Sequence, residues 1–193
     1  MDQPAFFQND DCAITKQPLI PKGGDDCIFT PDSLAIDIVS HFASRIYGTI
    51  LEPSAGDGAF VRAFQSCGFT CESLELKRGQ DFFDYKQKVD WIITNPPWSK
   101  MRAFLKQAYL LADNIIFLVS VNHVIALRAR LRDMENAGFG ISEIVLCDTP
   151  KDWPQSGFQL GASYIKRGYK GPLHLTHLGH TLSDTLFEAL PSQ

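Results

Sequence analysis

The sequence predicts an α/β protein built on a doubly wound parallel sheet, and three features predict it. Short apolar runs of strand length alternate along the chain with helical patterns of about 10 to 15 residues. Two of those runs, Val89–Thr94 and 114–121, hold consecutive apolar residues, Trp91-Ile92-Ile93 and Ile115-Ile116-Phe117-Leu118-Val119, instead of alternating, as a strand covered on both faces requires. A run at 49–52 passes through a Gly-x-Gly turn into a helical pattern, the βα arrangement that sets ligands at the carboxyl ends of strands. A chain of 193 residues has room for one well-filled core.

The elements follow in order. Residues 1–26 lack periodicity and are rich in Asp, Gln, Pro and Gly, so they read as an arm preceding a catalytic domain over 27–193. Thr30-Pro31 opens a helix, Thr30 as the cap and Pro31 in the first turn, with Leu34, Ile38, Val39 and Phe42 at core spacing. A strand at 49–52, a helix at 57–68 and a strand at 71–76 come next. Val89–Thr94 is the next strand, followed by a helix at 101–112, a strand at 114–121 and a helix at 123–137 stopped by Gly138. Strands at 141–147 and 161–166, joined by a long loop, complete the pattern.

Charge and cysteines narrow the classes. The five cysteines (12, 27, 67, 71 and 147) are an odd set without paired spacing, which fits reduced thiols, and no His stands near Cys67 and Cys71 to complete a metal site. No apolar run approaches a membrane span, and the acidic N-terminus is unlike a secretory signal, so the expected place is intracellular, in the cytoplasm. The net charge of −4 conceals an acidic arm, net −3 over 1–26, and a basic half, net +4 over 96–170, that suits a phosphate-bearing partner.

Three motifs and Glu75 carry chemistry. Glu52-Pro53-Ser54-Ala55-Gly56-Asp57-Gly58-Ala59-Phe60 is a strand end and small-residue turn whose glycines let backbone amides approach a ligand. Val61 stands where a dinucleotide fingerprint has its third glycine, which disfavours nicotinamide. Glu75, near the next strand end, is placed to accept from ribose hydroxyls. Asp81 with Phe82 and Phe83 pairs an acceptor for an amino group with rings for a base face. Asn95-Pro96-Pro97-Trp98 then ends a buried strand in an amide and two prolines, which bring no amide hydrogens and leave their carbonyls free.

Together with Thr30-Pro31, these motifs resemble the S-adenosylmethionine-dependent amino-methyltransferases of the DNA adenine type, in order over roughly residues 29–170. The resemblance implies a Rossmann-like class I methyltransferase fold, a seven-stranded mostly parallel sheet with its last strand antiparallel. It assigns Thr30, Pro31 and the segment Glu52, Ser54, Ala55, Gly56, Asp57, Gly58 and Phe60 to the methionine end of S-adenosylmethionine, Glu75 to its ribose, and Asp81 and Phe82 to its adenine. Asn95, which also meets the cofactor, and the Pro96 carbonyl would accept from the target amine, Pro97 would stiffen the loop and Trp98 would stack on the base. The chemistry suits these residue types. An aromatic amine shares its lone pair with the ring, and two acceptors on its hydrogens favour the geometry that frees the pair; alignment supplies much of the rest. A base within a duplex must be flipped or presented single-stranded. Attack at a cytosine carbon needs a Pro-Cys nucleophile, and the sequence has none.

Lys100, Arg102 and Lys106 after the loop, with Lys166 and Arg167, are expected on phosphates, and Phe158 at the edge of the target pocket; Lys151–Gln159, with Trp153, reads equally as a packing hairpin. His174, His177 and His180 read as surface residues in a tail, and Arg128, Arg130 and Arg132 as a helix surface. Only 23 residues follow Lys170, so no separate target-recognition domain is expected and methylation in short or relaxed contexts is, unless a dimer or partner subunit adds a reading surface. RNA is the near alternative to DNA. Relatives that methylate protein glutamine also carry Asn-Pro-Pro, usually with Tyr next, and a non-catalytic subunit would be marked by degraded motifs.

Overall fold

The computed structural model describes residues 28–155 and 157–178. The arm at 1–26, Cys12, Cys27 and His180 lie outside them. The sheet comprises β1 (Ile50–Glu52), β2 (Glu72–Ser73), β3 (Val89–Thr94), β4 (Ala112–Ser120), β5 (Phe139–Cys147), β6 (Leu160–Arg167) and β7 (His174–His177), in the order β2-β1-β3-β4-β6-β5-β7. All pairings are parallel except those of β6, which runs antiparallel to both β4 and β5. The helices are α1 (Asp32–Phe42), α2 (Ala59–Ser66), α3 (Met101–Leu111), α4 (Val121–Ile125) and α5 (Arg128–Asn136). None is long and apolar enough to cross a membrane.

Period-2 alternation divides the apolar strand residues between two cores. Ile50, Trp91, Ile93, Ile116 and Leu118 face α1 and α2, packing on Ile38, Phe42, Phe60 and Phe64. Their neighbours Leu51, Ile92, Ile115, Phe117 and Val119 face α3, with Val124 of α4 and Met134 of α5 closing that layer. Both faces of β3 and β4 are thereby covered, which is why these strands lack polar alternation in the sequence. In the middle of β5 Glu143, 6 % exposed, accepts from His41, Arg45 and Thr176; burial alone would raise its carboxyl, but these bonds prevail and hold it down at about 2.

Several elements differ from expectation. Helix α1 begins at Asp32 with Pro31 as its cap residue, and Thr30 lies too far back to reach the first amides; its hydroxyl accepts from the Asn95 side chain instead. Helix α2 begins at Ala59 because Gly58, at φ 93°, still belongs to the turn. The strand expected over 71–76 pairs only at Glu72–Ser73, and Glu75 instead caps a short 3₁₀ turn at Leu76–Arg78, accepting from Lys77 N. The single helix expected over 123–137 is two: Leu127 is extended between α4 and α5, and Arg130 of the second reaches back to the His123 carbonyl of the first. His174 and His177, expected in a tail, lie on β7, which pairs parallel with β5 after antiparallel β6 has returned the chain to the amino end of the sheet.

Candidate functional site

The carboxyl ends of β1 and β3 open into a cavity of about 490 Å³, within the usual range for a small-ligand site. Each wall has a local cause. Gly56, at φ 55°, turns the chain after β1, and a Cβ there would stand 3.2 Å from the Phe29 ring, so only glycine fits without displacing it. The Gly56 amide donates to Glu75 Oε2 at 2.8 Å, joining this turn to the 3₁₀ segment after β2. Asp81 caps a second 3₁₀ turn, Phe82–Asp84, by accepting from Phe83 N at 2.9 Å. Phe82, Phe83 and Phe104 pack ring on ring at 5.0 to 6.0 Å to form an apolar side.

The Asn95 loop leaves β3 beside this cavity. The Asn95 amide donates to the Ile28 carbonyl (3.3 Å) and Thr30 Oγ1 (3.2 Å), while its Oδ1 accepts from Trp98 Nε1 (3.3 Å). The segment before α1 therefore fixes which way the amide points. Pro96 is buried, and Pro97 lines the cavity. The Trp98 ring lies 5.3 Å from the His123 ring and 6.3 Å from Trp153. Trp153 is 6 % exposed and donates to the Phe29 carbonyl at 3.0 Å, tying the loop between β5 and β6 to the segment before α1. Burial, then the Arg130 charge, lowers the His123 pKa, so this imidazole is neutral beside Trp98 at neutral pH.

Ser54, Gly56, Asp57, Glu75, Asp81, Phe82, Asn95, Pro97 and Lys100 share the cavity wall. Thr30, Glu52 and Phe60 stand behind it at 7 %, 1 % and 4 % exposure, and Ala55, Gly58, Pro96 and Trp98 are also off the wall. Pro31 borders a separate hollow beside α1. Glu52 contacts Thr94 and accepts from the Ser54 amide at 2.9 Å. Leu76 on the wall, 59 % exposed, escaped the sequence reading because nothing local marks an apolar side chain that is left open to a ligand.

The basic residues divide. Lys100 is on the cavity rim, but Arg102 is paired with Asp133 at 2.7 Å and Lys106 stands 3.8 Å from the same carboxylate. Phe158 is 46 % exposed on the loop between β5 and β6. Lys166 and Arg167 are at the wrong end of the sheet for the site. Leu160 pairs with Ser120 at the carboxyl end of β4, and Lys166 pairs with Asn114 near its start, so the two basic residues stand roughly 20 Å away at the usual rise of a strand. Arg167 is also committed to packing: it donates to Asp113 and the Tyr109 carbonyl and lies over the Phe139 ring at 4.3 Å.

No family model and no curated protein matches the sequence. Solved structures do match. A candidate class I S-adenosylmethionine-dependent methyltransferase from Listeria monocytogenes superposes with a TM-score of 0.56 at 12% identity, covering 86% of this chain and 72% of that one. The fold is that of a class I methyltransferase. A candidate RNA methyltransferase from Pyrococcus horikoshii matches at TM-score 0.54 and 13% identity over 77% of this chain and 91% of its own. The modification subunit of a candidate type I restriction enzyme from Vibrio vulnificus matches at 0.56 and 14% over 86% of this chain, which spans about half, 54%, of that subunit. In this fold the Asn95 loop and the Glu52–Gly58 turn occupy neighbouring strand ends, β3 beside β1, although 36 residues separate Gly58 from Asn95 in the chain.

Proposed function

We propose that the chain transfers a methyl group from S-adenosylmethionine to the exocyclic 6-amino group of adenine in DNA. The observation that carries this reading is the Asn95-Pro96-Pro97-Trp98 loop at the end of β3, set against a cavity that holds the Glu75 and Asp81 carboxylates and the Phe82–Phe83–Phe104 wall. Those groups fit a nucleoside-bearing cofactor: carboxylates for hydroxyl and amino hydrogens, rings for a base face, and a glycine turn where the ligand meets backbone. Such a cofactor supplies an electrophilic methyl on a sulfonium.

The chain's own residues supply alignment. Asn95 Oδ1 and the Pro96 carbonyl are the two acceptors for the amine hydrogens. The Asn95 Nδ2 bonds to Ile28 and Thr30 keep Oδ1 from exchanging places with the amide nitrogen. Trp98, beside His123 and Trp153, offers an aromatic surface for the target base next to Asn95, and in-line transfer requires the amine to reach the methyl opposite the sulfur. Positioning of this kind lowers barriers by several kcal/mol, of the order of 7 where reactants are fully oriented. The restriction-enzyme modification subunit among the structures of like fold supports DNA; a partner subunit or dimer fits the same reading.

Transfer of tritiated methyl to duplex DNA, single-stranded DNA and RNA, followed by nucleoside analysis, tests the proposal. Label in N6-methyladenine from DNA is the expected result; label confined to RNA moves the substrate, and absence of label from all three overturns the enzyme reading. Glu75→Ala and Asp81→Ala are each expected to weaken cofactor binding by about 1 to 3 kcal/mol, the cost of leaving polar partners unpaired, as read by calorimetry. Unchanged affinity in both removes the cavity from consideration. For the nucleic acid, Lys100→Ala should lower affinity and reduce the salt slope by about one. Lys166→Ala should do neither, since it lies at the far end of β6.

A further inference from the structure

Glu52 ends β1 on the same face as Ile50, under α1 and α2, and is 1 % exposed. Three contacts lead from its carboxyl to the loop after β3: Glu52 Oε1 to Thr94 Oγ1, Thr94 Oγ1 to Ser54 Oγ at 2.6 Å, and Ser54 Oγ to the Asn95 carbonyl at 3.1 Å. Each link needs one proton, and a carbonyl has none to give. Ser54 must therefore spend its only hydroxyl proton on Asn95. Thr94 must then donate to Ser54, and the link between Thr94 and Glu52 is left without a proton unless the carboxyl carries one. With Glu52 ionised, Thr94 turns to the carboxylate and Ser54 cannot serve both Thr94 and Asn95.

We propose that Glu52 is a positioning residue: a neutral carboxylic acid in the cofactor-free protein, whose proton completes a one-way chain through Thr94 and Ser54 and so fixes the backbone that presents the Asn95 amide and the Pro96 carbonyl. Its importance for transfer rests on the methyltransferase reading; its protonation does not. Burial, which taxes the ionised form, is consistent with this and raises the carboxyl to about 8; the Ser54 amide and a Thr94 hydroxyl turned the opposite way, to donate to the carboxylate, oppose it. The Glu75 charge pushes the same way, and the other titratable group coupled to it, the Cys71 thiol, is itself raised to about 11 by burial and by Glu52. Because the folded pKa lies above the ordinary 4.5, the folded protein holds a proton that the unfolded chain gives up. The stability from this site is then complete at low pH and is lost as pH rises from about 4.5 to 8.

Glu52→Gln separates the possibilities, because its amide can donate to Thr94 and never titrates, although the nitrogen that does so gives up the bond that Oε1 accepts from Ser54 N. Two measurements need no methyl transfer. Infrared spectra at neutral pH should show the carbonyl stretch of a protonated carboxyl in the wild-type chain and lose it in Glu52→Gln. The melting temperature of the wild type should fall relative to that of the Gln variant as pH rises from about 5 to 8. In the transfer assay Glu52→Ala and Thr94→Val should each lose tenfold or more in turnover with a smaller change in cofactor affinity, and Glu52→Gln should recover at least tenfold over Glu52→Ala. A missing band together with parallel melting curves overturns the proposal. So does a Gln variant that loses cofactor affinity as far as the Ala variant, which would show a carboxylate facing the cofactor.

Discussion

Asn95→Ala is expected to lower turnover by about 10²-fold or more with a much smaller loss of cofactor affinity, the scale seen when one oriented polar group is deleted from an active site. The side chain is held by the Ile28 carbonyl and Thr30 on one side and by Trp98 on the other, so its oxygen is oriented before any target arrives. The alanine variant removes one of two acceptors and leaves the amine with the Pro96 carbonyl alone. Glu75, Asp81 and the Phe82–Phe83–Phe104 wall, which would hold the cofactor, are untouched. Single-turnover rates with calorimetric cofactor titration check both halves of this expectation; near-normal methylation by the variant would end the assignment of the loop.

Trp153→Ala should destabilise the fold by about 3 to 5 kcal/mol, the range for deleting a large buried ring. Trp153 is the chief apolar anchor of the loop between β5 and β6, packs in the core shared with α1, and stands near-perpendicular to Trp98. Its indole also bonds to Phe29, so the deletion releases the segment whose Ile28 carbonyl and Thr30 hydroxyl orient Asn95. Target affinity should fall along with stability. Trp153→Phe keeps much of the packing and loses the bond, worth about 1 kcal/mol. Urea unfolding of both variants is the check: a loss under about 1 kcal/mol in Trp153→Ala would mean that the loop carries no weight in the fold.

Much of this arrangement was legible in the residues. Val89–Thr94 is legible as a strand because burial on both faces leaves consecutive apolar residues, Trp91-Ile92-Ile93, and the two cores show Trp91 and Ile93 on one side and Ile92 on the other. The turn from Glu52 to Gly58 and the Asn95 loop were visible because glycine and proline restrict backbone locally, whatever surrounds them. The split of the helix at Leu127 was not, since nothing in the side-chain spacing from 123 to 137 marks one extended residue. β7 was missed because four residues, half exposed, form a strand only through the ladder that β5 offers them.

The sequence by itself determined the alternation of strands and helices, the two loops at strand ends, and the pairing of carboxylates with aromatics after β2. Each depends on periodicity or on backbone restriction within a few residues, and such terms act the same in any tertiary setting. Only the tertiary structure decided which basic residues stand near those loops and what Glu52 touches. The antiparallel run of β6 carries Lys166 and Arg167 to the amino end of the sheet, and strand direction is set by pairing with β4 and β5, not by the strand's own residues. Glu52 meets Thr94, 42 residues on, because β1 and β3 are neighbours. A buried carboxyl takes its protonation from the groups packed around it, and no local pattern in the chain encodes that packing.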